Sequence, residues 1–340
     1  MHTLIDTYRS FPGEHCGSVA MRGLLNHYCG IELSEDAVFG LGSGLDSGYL
    51  SSEDLDPPII LFGRTMGLEL DIASALGVDY REQAEPDDEK AWHDVREEVL
   101  AGRPTMLSGD ILYLDYRDYK VHFPGHRFVL VGFDDDSEKA FVADRMRPEH
   151  EACSYSALAT SRNPPEGMST KNLWGKFHST EATCSMVDAA RLAIERCATR
   201  MLEAETLPLG AEGSGLEMTG GVAGTRRLAS ELPSWADRRN AQWIAGYAAR
   251  SIEKFGNGGG YFRRLYAGFL GWARELDESL VAREAPGLAT SAADGWTALS
   301  DTLFVASEDG APGDVWAKAA EQASALSDQE ARLFEMLADR

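Results

Sequence analysis

Cys16 stands in the run Gly13-Glu14-His15-Cys16-Gly17-Ser18, and Val19, Ala20, Leu24 and Leu25 follow it at helical spacing. A cysteine in the first turn of a helix faces the positive end of the macrodipole and backbone N–H groups without an intrahelical acceptor. Both favour thiolate over thiol, the form that attacks a carbonyl carbon. The plainer alternative is a small buried residue packing a helix start. His126 follows Gly125 and opens a second apolar run, 127–133. A histidine at a strand mouth projects its imidazole to a surface or cleft, while alternation buries Phe128 and Leu130. His15 and His122 compete with it for the role of base. Asp144 ends the next apolar run. The order Cys16, His126, Asp144 leaves gaps of 110 (126 − 16) and 18 (144 − 126) residues. The shorter gap suits a hairpin that brings a carboxylate beside the imidazole, where it orients one ring nitrogen and supports imidazolium.

These residues need elements to hold them. Helical patterns span 16–29, 34–39 (with Ser34 as N-cap), 68–76 and 87–101. Strand patterns span 58–62, 78–82, 104–108, 127–133 and 140–143, and Asp134-Asp135-Asp136-Ser137 supplies turn chemistry between the last two. From about residue 180 the strand signal disappears. Helical periodicity runs through 182–202, 215–231, 234–255 (Ser234 as N-cap), 261–275, 288–306 and 312–337, with 256–260 (G-N-G-G-G) as a helix stop. The segment 160–175, rich in Ser, Asn, Pro and Gly, reads as a linker. The expectation is therefore an α+β domain with an antiparallel sheet over 1–178, followed by an all-helical domain over 179–340 that covers or extends the cleft.

With 32 Lys+Arg against 55 Asp+Glu, the 340-residue chain carries a formal charge of −23. Such a field disfavours nucleic acid and anionic membrane as partners and favours a cationic small molecule. The sequence has no apolar run of membrane-spanning length and no secretory pattern at its start. Five scattered cysteines do not make a disulfide framework. A cytoplasmic location is expected, and a homodimer is compatible with these features. The glycine-rich Gly40-Leu41-Gly42-Ser43-Gly44 lacks the Lys-Ser/Thr ending of a phosphate loop and reads as a cleft wall. Paired short ligand spacings are absent, so no metal is expected at His15, Cys16, His122 and His126.

A nucleophile on a helix, then His, then Asp on antiparallel strands, resembles the order of papain-like cysteine enzymes. The run H-C-G-S-V-A-M-R-G-L-L-N-H-Y-C-G-I-E-L-S-E also resembles bacteriocin-processing cysteine peptidase domains. The chain from Cys16 through F-G-L-G-S-G-L, with Phe62-Gly63-Arg64, looks like the butirosin biosynthesis protein H family, and G-N-G-G-G-Y-F-R-R-L-Y-A-G-F-L resembles its associated helical domain. That resemblance implies an amide-forming acyltransferase of antibiotic biosynthesis. No bound cofactor is implied; the donor is a thioester on the phosphopantetheine arm of an acyl carrier protein, and the acceptor is an amine such as an aminoglycoside or polyamine. Cys16 would attack the thioester, His126 would act as general base then acid, and Asp144 would orient it. The Gln that papain-like peptidases place before the cysteine is missing. Oxyanion or cleft roles therefore fall to Gly17, Ser10, Gly42, Ser43 and Gly44. An acidic enzyme meeting an acidic carrier needs a local basic patch. Arg145, Arg147, Tyr261, Arg263, Arg264 and Tyr266 are its candidates, against the plainer reading of Tyr261 and Tyr266 as core. A cysteine peptidase or amidase, and a non-catalytic peptide- or carrier-binding module, are the alternatives.

Overall fold

The computed structural model describes every residue except 204, 205, 210–215 and 340. Along the chain run β1 (His2–Leu4), α1 (Cys16–Cys29), α2 (Glu35–Leu41), β2 (Leu45–Ser51), β3 (Ile59–Arg64), α3 (Leu68–Leu76), β4 (Tyr80–Gln83), α4 (Asp88–Leu100) and β5 (Thr105–Gly109). Then come β6 (His126–Asp134), β7 (Lys139–Ala143), β8 (Glu151–Ser154), α5 (Tyr155–Arg162), β9 (Trp174–Phe177), α6 (Met186–Glu203), β10 (Thr206–Leu209) and β11 (Leu216–Thr219). Five helices close the chain: α7 (Gly221–Trp235), α8 (Ala241–Glu253), α9 (Arg263–Leu276), α10 (Ala285–Ala306) and α11 (Val315–Ala338). The chain is thus α+β, with an antiparallel sheet in its N-terminal region and a helical C-terminal region.

Packing divides it into two compact units. One comprises residues 1–38 and 76–183, the other 39–75 and 184–340. The first unit holds a sheet ordered β4-β9-β5-β6-β7-β8, with β1 also pairing β6, and its pairings are antiparallel. β6 is its spine. Eight of its nine residues are buried, because α1 and α4 both pack against it. The β6–β7 turn forms as its chemistry dictates: Asp134 accepts from the Asp136 N–H at 3.2 Å and from the Ser137 hydroxyl at 2.6 Å. Residues 160–175 are not a linker. They end α5 and lead into β9, which pairs with both β4 and β5.

The second unit is mostly helical but not wholly so. A sheet ordered β10-β11-β2-β3 belongs to it, and this corrects the expectation of an all-helical half. The two added strands are only four residues each, too short to leave a periodic signature. Tyr49 of β2 and Ile59 of β3 are buried in one cluster with Trp235, Ile244, Trp296 and Leu326. The segment 39–75 therefore completes the core of the helices that follow 184. Ser234 is not an N-cap: it lies inside α7, its hydroxyl donating to the Glu231 carbonyl. The G-N-G-G-G run does stop α8, with positive φ at Gly256, Gly258, Gly259 and Gly260.

Candidate active site

α1 begins at Cys16 because His15 caps it. The His15 Nδ1 accepts from the Ser18 N–H at 3.3 Å and lies 2.8 Å from the Ser18 hydroxyl. At the far end Gly30, at φ 64°, closes the helix through its N–H to the Asn26 carbonyl. The turn before Cys16 is held from two sides. The Glu35 carboxylate accepts the backbone N–H groups of Glu14 at 3.0 Å and His15 at 2.6 Å. Arg145 does the rest: its carbonyl accepts the Gly13 N–H at 2.8 Å, and its guanidinium donates to the Glu14 carbonyl at 2.9 Å. Burial pushes the Glu35 carboxyl up, partly offset by these amide donors.

β6 and β7 bring the other two groups together. Val129 faces Ala143 in the register, so Asp144 falls opposite Phe128 and diagonal to His126 on the same face. His126 Nε2 lies 3.0 Å from Asp144 Oδ1, and both side chains are buried. The second ring nitrogen is left for Cys16, whose thiol is hydrogen-bonded to His126. Burial pulls the imidazole down, but the Asp144 charge, its hydrogen bond and Cys16 together raise it to about 10. Burial pushes the Asp144 carboxyl up, yet His126, the Arg145 N–H and Tyr116 hold it well below the usual range. All three residues of the sequence constellation thus meet in one hydrogen-bonded line.

Tyr116 has no counterpart in the sequence reading. Its hydroxyl donates to Asp144 Oδ2 at 3.0 Å while the Arg145 N–H donates to Oδ1 at 2.7 Å. The loop between β5 and β6 carries it, with Tyr113, Tyr116 and Tyr119 at intervals of three, the only signal available. Half-buried Tyr119 feels the charges of Asp144, Arg117, Arg145 and Cys16. The rival histidines have other duties. His15 caps α1, and exposed His122 pairs with buried Asp110 at 2.7 Å.

The remaining candidates divide. Gly17 lies in the first turn of α1, beside Cys16. Ser10 belongs to the same unit, and its hydroxyl is buried with no hydrogen-bond partner among the described residues. Gly42, Ser43 and Gly44 are part of the second unit's interior. A Cβ on Gly42 would meet Leu68 Cδ1 at 2.5 Å, and one on Gly44 would meet the Phe39 carbonyl at 2.5 Å, so tight packing explains these glycines. The Arg145 guanidinium is occupied by the Glu14 carbonyl, whereas exposed Arg147 makes only a 3.9 Å contact with Glu151.

The patch expected at 261–266 does not form. Arg263 is buried, bonded to Glu330 at 2.6 Å, to the Tyr261 carbonyl at 2.8 Å and to the Asp46 carbonyl at 3.0 Å. Tyr261 and Phe262 adopt φ of 53° and 68°, a left-handed pair that precedes α9, on which Arg263 is a buried residue. Tyr261 and Tyr266 are buried too, Tyr266 against Phe269 and Phe334. Only Arg264 is exposed, and Asp294 neutralises it at 3.1 Å.

Among the described residues no three His, Cys, Asp or Glu side chains gather as a metal-holding group, and no helix is long and apolar enough to cross a membrane. No curated protein matches the chain. Two family profiles do. Residues 15–145 match "Butirosin biosynthesis protein H, N-terminal", which spans all three members of the Cys16–His126–Asp144 line, and residues 156–337 match a "Domain of unknown function (DUF4872)". The chain therefore belongs to the butirosin biosynthesis protein H family, with its N-terminal domain followed by the associated helical-region domain.

Proposed function

We propose that the protein is a cysteine-dependent acyltransferase that moves an acyl or aminoacyl group from a carrier-bound thioester to an amine. The family name ties the N-terminal domain to antibiotic biosynthesis. The observation that carries the finer reading is the buried line from the Cys16 thiol through His126 to Asp144, with the imidazole raised to about 10. Binding alone requires no such line. A papain-like pairing of thiolate and imidazolium does.

With His126 charged at rest, it acts first as an acid and then as a base. The Cys16 thiolate attacks the thioester carbonyl, and the tetrahedral oxyanion lies at the start of α1, where the Gly17 N–H and the helix dipole favour negative charge. Collapse breaks the bond to the pantetheine sulfur, which leaves with the His126 proton. The amine then attacks the Cys16 acyl group, gives a proton to neutral His126, and expels Cys16 as thiolate. The ion pair is restored and one amide bond has replaced one thioester. A thioester is already activated, so the missing papain-type Gln matters less here than it would for a peptidase. The chain's −23 charge favours a cationic amine.

The experiment is intact mass spectrometry with an acyl-pantetheine thioester, followed by a polyamine or aminosugar. Wild type should gain one acyl group, which Cys16→Ala should not, and amine should discharge it as amide faster than water does. Ready peptide hydrolysis, with no acylation of Cys16 by any thioester, would replace this reading with the peptidase one.

A further inference from the structure

Within the first unit, away from the hydrogen bonds of Cys16, His126 and Asp144, the start of α4 and α5 enclose a cleft of about 320 Å³. Trp92 and Tyr155 form aromatic wall, their ring centroids 4.9 Å apart. Arg162 lines the cleft at 2% exposure, and its Nε and Nη2 have no hydrogen-bond partner among the described residues. Nε and Nη2 are sealed from solvent, which leaves Nη1 as the nitrogen open to the cleft. Burial pulls this guanidinium down to about 10, with Asp88 opposing, so it stays charged at neutral pH. Its backbone, by contrast, is fully engaged, the carbonyl accepting from the Asn172 N–H at 3.0 Å and the Thr170 hydroxyl at 3.2 Å. Buried guanidinium nitrogens without hydrogen bonds are costly, and the open Nη1 can donate one charge-assisted hydrogen bond to a carboxylate.

The same cleft holds two anions. Asp88 uses Oδ1 to fix the Asn163 and Asn172 amides, both at 2.8 Å, and Oδ2 makes no hydrogen bond among the described residues. Exposed Glu89 makes no ion pair among the described residues. One cation and two carboxylates disfavour a phosphate dianion. They suit a ligand that carries both signs.

We propose that this cleft binds a small zwitterion, an amino acid with an apolar or aromatic side chain, whose carboxylate meets Arg162 and whose ammonium meets Asp88 and Glu89. The volume holds one such molecule, and its side chain lies on Trp92 and Tyr155. Titration calorimetry on the full chain tests this with three probes: phenylalanine, phenylpropionate and phenethylamine. Phenylalanine should bind, and each probe lacking one charge should bind at least about tenfold more weakly, the scale of one charge-assisted contact. Glu89→Gln, a surface change that spares the fold, should weaken phenylalanine and leave phenylpropionate unchanged. Arg162→Met should abolish phenylalanine binding, and Cys16→Ala should not alter it. The proposal is overturned if no probe binds at about 10 mM, if phenylpropionate matches phenylalanine, or if binding survives Arg162→Met. Should Arg162→Met fail to fold, the probe series and Glu89→Gln decide alone.

Discussion

Replacing Asp144 with Asn tests what the carboxylate contributes, because the surroundings fix how the amide must sit. The Arg145 N–H and His126 Nε2 both converge on Oδ1, and Tyr116 donates to Oδ2. An amide NH2 on the Oδ1 side would set donor against donor. The asparagine oxygen therefore stays toward His126, its NH2 turns to the Tyr116 oxygen, and the imidazole keeps its tautomer. What disappears is charge. Without it, His126 falls from about 10 toward or below its ordinary 6.5, since burial also pulls it down. At pH 8 a group with a pKa of about 6.5 is protonated only ~3% of the time, so acid-assisted expulsion of the thiol should slow at least about thirtyfold. At pH 5.5 the loss should nearly vanish. The assay is single-turnover acylation of Cys16 by a small acyl thioester, followed by intact mass from pH 5.5 to 9. A loss of equal size at every pH would refute this reasoning and assign Asp144 an orienting role alone. Full activity at pH 8 would remove Asp144 from the site.

Brief iodoacetamide at pH 6.5 should label Cys16 before Cys29, Cys153 or Cys197, because burial raises those three thiols, Cys153 to about 12; peptide mapping reads the order, with exposed Cys184 as the internal reference. Glu35→Gln removes the charge that holds the Glu14 and His15 amides, so acylation should slow about tenfold with little change in melting temperature, the scale of one charge-assisted hydrogen bond. Arg263→Met strands buried Glu330, and chemical denaturation should show a loss of about 3–5 kcal/mol. For stability against pH, the raised His126 contributes fully below about 6.5 and loses its contribution as pH climbs toward 10, whereas the depressed Asp144 contributes above about 4 and loses it as pH falls. Wild type should therefore show a plateau between those limits that Asp144→Ala lacks, measured by urea midpoints.

The sequence reveals elements wherever local chemistry settles them. α1, α3 and α4 match their predicted spans to within a residue, because an apolar stripe marks each one, and α4 is also capped, Asp87 accepting the Lys90 N–H at 2.9 Å. The β6–β7 hairpin was legible from its aspartate turn, and with it the meeting of His126 and Asp144. β8 and β9 were not, since four residues carry too little alternation, and β9 forms only because β4 and β5 offer it edges. Arg263 misled for a different reason. Two adjacent arginines after a glycine run look like surface, but α9 starts at Arg263 and turns neighbouring side chains about 100° apart, burying Arg263 and exposing Arg264. Tyr116 went unread because Tyr113, Tyr116 and Tyr119 lie in an irregular loop, where a spacing of three marks no helix or strand.

The excursion of residues 39–75 out of the first unit has a consequence for how the protein is made. As the chain leaves the ribosome, α1 emerges early, but β2 and β3 emerge long before the helices whose core they complete. Tyr49 and Ile59 can pair within the β2–β3 hairpin but must wait for their helical core partners while more than a hundred residues are added between 75 and 184. The first unit can close around His126 and Asp144 during that interval, with 39–75 looped out of it. Recombination between family members is constrained in the same way. A crossover between residues 145 and 156 keeps both family matches intact yet splits one hydrophobic core between two parents, so viable exchanges must carry 39–75 together with the C-terminal half.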